Sequence, residues 1–313
     1  MTVFLFALAA ALLLIIASGV YVFLVACIRR KELPWLVEAE LQKTPCGKYS
    51  KHIQDANRWL ADHGAQDVYI KSCDGLKLHA LWVPADNPKG TVLFAHGYRS
   101  SPLLDFGLAL SRYHAHGLNI LLPDQRAHGK SEGRIISFGV LESKDMETWI
   151  AYHNKHFGAL PMLLSGLSMG ASTMLYLADR DVGENVKGII ADCGFTSPHE
   201  ILASVFKDVT HLWATPSILV AELCARCFGR FSLWQCDTRK SLASARIPVL
   251  LVHGKADNFV PCEMTKQGFD ACSGSKQLFL VEGAEHGVSF LVEPVKYTQL
   301  IDDFLTVNLF KGE

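Results

Sequence analysis

Six short apolar runs set the terms for any fold this chain of 313 residues can adopt. They occupy residues 91–95, 119–122, 162–164, 186–191, 249–252 and 277–281, and stretches of helical character separate them. A run that is apolar at successive positions must be covered on both faces of its sheet. Such strands alternating with helices predict an α/β architecture, a mostly parallel sheet with helices on either side. The loops at the carboxyl ends of the strands then converge on one edge, where ligands bind. Ahead of the runs, residues 68–70 and 76–83 flank Asp74-Gly75, which predicts a hairpin closed by the positive φ angles that Asp-Gly supplies.

The stretch Gly166-Leu167-Ser168-Met169-Gly170 sits between the apolar run 161–165 and the helical stretch 171–178. G-x-S-x-G in a strand-turn-helix setting is the pattern that lifts a serine hydroxyl clear of its backbone. The glycines have no Cβ to clash with the neighbouring strand and helix. The helix that begins there also directs free N–H groups toward negative charge forming at the serine. A plain Gly/Ser turn without chemistry is the alternative, and the loops at the other strand ends weigh against it.

His96-Gly97-Tyr98-Arg99 follows the first parallel run. The N–H groups of Tyr98 and Met169 are the expected pair of donors for a reacting carbonyl oxygen, each worth ~2.7–4 kcal/mol in a transition state. His96 is expected to tie this loop down rather than to act as a base. The polar segment 123–131, with Asp124, Arg126 and His128, is expected to brace the same loop. Asp257 follows the run 249–252, and His286 follows the run 277–281. The order Ser168, Asp257, His286 fits a nucleophile, an orienting acid and a base on an α/β-hydrolase sheet. Asp192 and Glu285 are rivals for the acid, and position favours Asp257.

Taken in order, HGYRS, PDQRAHGKSEG, GLSMGAS, HGKADNFVP and GAEHG resemble the landmarks of the α/β-hydrolase superfamily from about residue 67 onward. They look most like bacterial serine aminopeptidase-like and lipase-like hydrolases with one N-terminal membrane segment. The resemblance implies the same three side chains, Ser168, Asp257 and His286, and the same backbone donors, Tyr98 and Met169. It carries no substrate with it.

Residues 3–28 contain no charge and are long enough to cross a ~30 Å hydrocarbon core. The absence of a charged leader and the length of the run favour a membrane anchor over a cleaved signal peptide. Arg29-Arg30-Lys31 directly after it place the following domain on the cytoplasmic side by the positive-inside rule. The expected organisation is an anchor over 1–30, a helical linker over 31–66 and a hydrolase domain over 67–313. Within the linker, Pro34 and Trp35 fall where an interfacial aromatic would sit, and residues 53–60 would lay one apolar side along the domain.

Helical stretches interrupt the alternation over about 197–246 and predict a lid. Leu212, Trp213, Phe228, Phe231 and Trp234 are expected to give it an apolar underside facing an acyl pocket. A net charge of −1 gives no reason to expect nucleic acid as a partner. Nine cysteines in a chain of this length read as small buried hydrophobes, and Cys224-Ala225-Arg226-Cys227 lacks the further ligands a zinc site needs. No metal or organic cofactor is implied. The partners expected are a small acyl substrate and a membrane. The expected activity is hydrolysis of a carboxylic ester or related acyl bond. An amide-directed peptidase is the runner-up, and a binding protein that kept the fold without the chemistry stands third.

Overall fold

The computed structural model describes residues 1–30, 47 and 50–310. Among them, eight strands form one sheet: β1 (Gln66–Lys71), β2 (Lys77–Val83), β3 (Gly90–Ala95), β4 (Leu118–Pro123), β5 (Met162–Leu167), β6 (Val186–Asp192), β7 (Val249–Gly254) and β8 (Lys276–Val281). Their spatial order is β1-β2-β4-β3-β5-β6-β7-β8. The β1–β2 and β2–β4 pairs are antiparallel, and the remaining pairs are parallel. The expected mostly parallel sheet is present, and all six apolar runs lie in it. β3, β4 and β7 are buried at every position, which is why their sequences show no alternation.

The helices are α1 (Thr2–Cys27), α2 (Ser50–Asp62), α3 (Pro102–Ala115), α4 (Glu142–His156), α5 (Met169–Leu175), α6 (Pro198–Thr210), α7 (Thr215–Cys224), α8 (Thr238–Ala243), α9 (Cys262–Ala271), α10 (Ser289–Val292) and α11 (Pro294–Asn308). A π-helical turn, Ala225–Gly229, extends α7. Two layers of core result. On one face Met146, Trp149 and Ile150 of α4 pack with Met174 and Leu175 of α5 over Leu93, Leu164 and Leu251. On the other, Phe106 and Leu110 of α3 and Ile301 and Phe304 of α11 cover Val92, Ile120 and Leu163. Each such side chain contributes about 1.5–3 kcal/mol by leaving water.

The turn between β1 and β2 differs from the expected tight hairpin. Ser72 closes it by donating its N–H to Leu76 O over 2.8 Å, and its hydroxyl accepts from Leu76 N over 2.8 Å. Only Gly75 takes a positive φ, at 94°. Asp74 is drawn away instead to Arg126, whose Nη1 lies 2.9 Å from its carboxylate.

α1 is long and apolar enough to cross a membrane. Residues 2–14 are exposed all round, and from residue 15 one face of the helix rests on the domain. The contact is close: a Cβ on Gly19 would fall 2.4 Å from Val220 Cβ of α7. Ser18 Oγ lies 2.6 Å from Ser217 Oγ, and Phe23 and Cys27 are buried in a third apolar cluster with Ile218, Ala221 and Met169. Lys31, Pro34 and Trp35 lie outside the described residues, as do the side chains of Ile53, Ala56 and Asn57. Within α2, Leu60 is buried in the core beneath α3.

Candidate active site

Ser168 connects β5 to α5 with φ 55° and ψ −118°. A non-glycine residue held in such a region costs on the order of 1–3 kcal/mol, which the surrounding packing must outweigh. The glycines explain how the turn stays tight. A Cβ on Gly170 would lie 1.8 Å from the Ala95 carbonyl oxygen, and one on Gly166 would lie 2.4 Å from that of Gly170. The serine therefore stands where β3 and β5 come closest to α5.

Ser168 Oγ lies 2.9 Å from His286 Nε2, and His286 Nδ1 lies 2.7 Å from Asp257 Oδ2. The structure brings these three predicted residues together from the ends of β5, β7 and β8. Nδ1 faces a carboxylate and so carries the proton, which leaves Nε2 as an acceptor toward the serine hydroxyl. Asp257 Oδ1 accepts from the N–H groups of Phe259 and Val260 over 2.8 and 2.9 Å. His253 Nε2 lies 3.1 Å from Oδ2. Burial alone would raise the Asp257 pKa, but the bonds from His253, His286 and Val260 more than offset it and hold the carboxyl well below the usual range.

The rivals are engaged elsewhere. The Asp192 carboxylate accepts from Ser289 Oγ and Tyr297 OH, both at 3.1 Å, and burial pushes its pKa up. Glu285 is exposed. Both ring nitrogens of His96 are committed to backbone: Nδ1 donates to Gly97 O over 2.9 Å and Nε2 accepts from Gln125 N over 3.0 Å. Burial lowers its pKa to about 4, and that of His128 likewise.

The loop 96–101 lies against the serine, and a Cβ on Gly97 would be 3.4 Å from Ser168 Cβ. Met169 opens α5, so its N–H belongs to the first turn, which has no intrahelical acceptor. His128 Nε2 accepts from Arg99 N over 3.0 Å, which ties the 123–131 segment to this loop. Two further supports were not foreseen. Asp105 accepts from Gly97 N over 2.6 Å and from Ser100 Oγ over 2.5 Å. The end of α1 supplies the other: Tyr98 OH donates to Ala26 O over 2.9 Å, and Arg99 Nη2 donates to Val25 O and Ile28 O over 2.5 and 3.0 Å.

A cavity of 570 Å³ opens beside Ser168 and His286. Leu104, Leu108, Leu167, Phe290, Leu291 and Ile301 give it apolar walls. These belong mainly to α3, α10 and α11, and the expected lining from residues 197–246 is not found. Leu212, Trp213, Phe228 and Trp234 are exposed at 63%, 79%, 73% and 41%, and only Phe231 is buried. The neighbouring helices α6 and α7 turn their inner faces to the end of α1 instead.

The eight described cysteines are all free. Cys193 Sγ comes within 4.8 Å of the Asp257 and His286 ligand atoms. Burial raises its thiol pKa well above the ordinary value, so it remains a protonated and poor ligand.

This architecture matches solved structures over most of the chain. The esterase Pf2001 of Pyrococcus furiosus superposes with a TM-score of 0.65 at 21% identity, over 82% of this chain and 94% of that one. The chain has the α/β-hydrolase fold. An acylaminoacyl peptidase of Pyrococcus horikoshii shares it, with a TM-score of 0.60 at 17% identity over 82% of this chain and 44% of that one. Residues 86–233 of this chain match the family described as serine aminopeptidase, S33. Among curated proteins, the uncharacterized protein YqkD of Bacillus subtilis is 27% identical over 75% of this chain and 77% of its own. A monoacylglycerol lipase of Mycolicibacterium smegmatis is 24% identical over 59% of this chain and 76% of its own.

Proposed function

We propose that the protein is a serine hydrolase that cleaves a carboxylic ester or related acyl bond of an apolar substrate through an acyl-enzyme on Ser168. The observation that carries this reading is the continuous path from Ser168 Oγ through His286 to Asp257, with steps of 2.9 and 2.7 Å. As Oγ attacks the acyl carbonyl, His286 Nε2 takes its proton. Asp257, held ionised, stabilises the imidazolium without accepting the proton itself. Charge forming on the carbonyl oxygen would be met by the N–H groups of Tyr98 and Met169. Collapse of the intermediate expels the alcohol, which receives its proton from His286. A water then enters, gives a proton to Nε2, and releases the acid from Ser168. The apolar cavity beside the serine suits the acyl chain.

The same groups can cleave an amide, and the match to the serine aminopeptidase family favours that as the second reading. α1 supports attachment to a membrane, and Arg29-Arg30 after it support a cytoplasmic-facing domain. A fluorophosphonate probe is expected to label the full chain in detergent, and Ser168→Ala to abolish labelling. Folded wild-type protein that resists the probe overturns the proposal. Acyl p-nitrophenyl esters beside aminoacyl p-nitroanilides separate the two readings.

A further inference from the structure

We infer that the exposed face of α7, with the loop before it, lies in the same lipid leaflet that α1 enters, so that the domain is partly sunk in the bilayer. The inference rests on the reading of α1 as a membrane anchor and goes beyond it. Its first support is a length. Residues 2–14 are the part of α1 free of the domain, and at 1.5 Å per residue they reach only ~20 Å. The hydrocarbon core is ~30 Å thick, so about seven more residues must lie inside it. Those residues, 15–21, include Ser18 and Gly19, which are the ones pressed against Ser217 and Val220 of α7. α7 cannot follow α1 to that depth and stay in water.

The side chains of α7 agree. Leu219 and Leu223 are one turn apart on one face and are 55% and 62% exposed. Phe228 is 73% exposed, and its ring lies 6.3 Å from that of Phe23 on α1. Ser217 meets Ser18 while Phe228 meets Phe23, so α7 and its π-helical extension advance in the same sense as α1. Leu212 and Trp213, which precede α7, therefore lie toward the membrane half of α1. Tyr21, 66% exposed on α1, falls ~30 Å from its start, where an interfacial aromatic is favoured. A helix seated ~5–10 Å into the headgroup and acyl boundary has this pattern.

The full chain is reconstituted in vesicles of phosphatidylcholine with a minority of phosphatidylglycerol. The phosphatidylcholine carries bromine either near the headgroup end or near the middle of its acyl chains. The fluorescence of Trp213 is taken as the difference between wild type and Trp213→Phe. It is expected to be quenched about twofold, and at least as strongly by the mid-chain bromines as by those near the headgroup. Gly19→Leu, which forces α1 away from Val220, is expected to weaken that quenching while α1 still resists alkaline carbonate extraction. Trp213 left unquenched in a chain that resists carbonate overturns the inference and leaves the anchor standing. So does Trp213 shielded by a second copy of the chain, seen as a cross-linked dimer without lipid quenching. Release of the protein by carbonate overturns the anchor and the inference together.

Discussion

The Tyr98 hydroxyl donates to the main-chain carbonyl of Ala26 over 2.9 Å, and so joins the last turn of α1 to the loop that faces Ser168. A helix end leaves its final carbonyls without intrahelical donors, and arginine is well suited to supply them. Here Arg99 meets Val25 and Ile28, while Arg29 donates to Gly129 O and Ser131 O, both over 2.7 Å. The helix is thus part of the wall that fixes the loop, and a domain cut off near residue 48 would lose it. Arg99 itself sits at φ 53°, a conformation these bonds help to hold.

Arg99→Ala is expected to lower stability by about 1–2 kcal/mol. It removes two charge-assisted bonds, and the loss is softened because the buried Nε of Arg99 has no hydrogen-bond partner among the described residues. Tyr98→Phe should cost about 1 kcal/mol. In both variants kcat should fall while KM changes little, because a displaced N–H donor acts mainly on the transition state. Thermal unfolding in detergent and steady-state kinetics on a soluble ester measure the two effects. Unchanged kcat in Arg99→Ala would show that the loop keeps its position without α1.

Asp257→Asn tests the orientation of His286. Four donors surround the carboxylate: the rings of His286 and His253 and the N–H groups of Phe259 and Val260. An amide that keeps its oxygen toward the two backbone donors must turn its NH2 toward His286. The imidazole then flips its proton to Nε2 and has no lone pair for the serine. A drop of about 10⁴ in kcat is expected, with the protein still folded by circular dichroism. A drop of less than tenfold would remove Asp257 from the mechanism.

Burial holds His96 and His128 at about 4 against an ordinary 6.5. As pH falls through 6.5 the unfolded chain takes up protons at both rings, while the folded protein does so only near 4. At these two sites the unfolded state therefore binds more protons in that window, and their contribution to stability declines as pH drops from 6.5 to about 4, then levels off. Melting temperature measured across this range should follow that slope. His128→Gln should show a shallower one, since a single buried imidazole remains. A slope left unchanged by His128→Gln would mean that this ring is not held neutral.

The strands were legible because runs buried on both faces leave no other use for such residues, and β3, β4 and β7 are the clearest cases. The convergence of Ser168, Asp257 and His286 was legible too, since each follows a strand that the pattern had already located. The docking of α1 was not. A charge-free run reads the same whether its far half meets lipid or protein, and the contacts of Gly19 with Val220 and of Ser18 with Ser217 are visible only in the structure. Asp105 was hidden for another reason: an acid in the first turn of a helix is ordinarily a response to the helix dipole. Trp213 and Phe228 were expected beneath the lid because large apolar residues in a helical segment point to a core by default. Beside a helix as apolar as α1 the outward face can be apolar as well.

The cavity makes a final prediction about chain length. Ile301 of α11 is 2% exposed to solvent and lines the cavity together with Tyr113 and Phe106 of α3. A tryptophan there is expected to fill part of the 570 Å³ and to leave the bonds among Ser168, His286 and Asp257 in place. Ile301→Trp should therefore leave hydrolysis of a p-nitrophenyl acetate near the wild-type rate. For a long acyl ester, each methylene that no longer fits forfeits about 0.8 kcal/mol of burial, so two lost methylenes lower kcat/KM by roughly tenfold. The ratio of the two rates across an acyl series is the measurement. A uniform loss at every length would mean that the variant disturbed the fold, and no change at any length would place the acyl chain elsewhere.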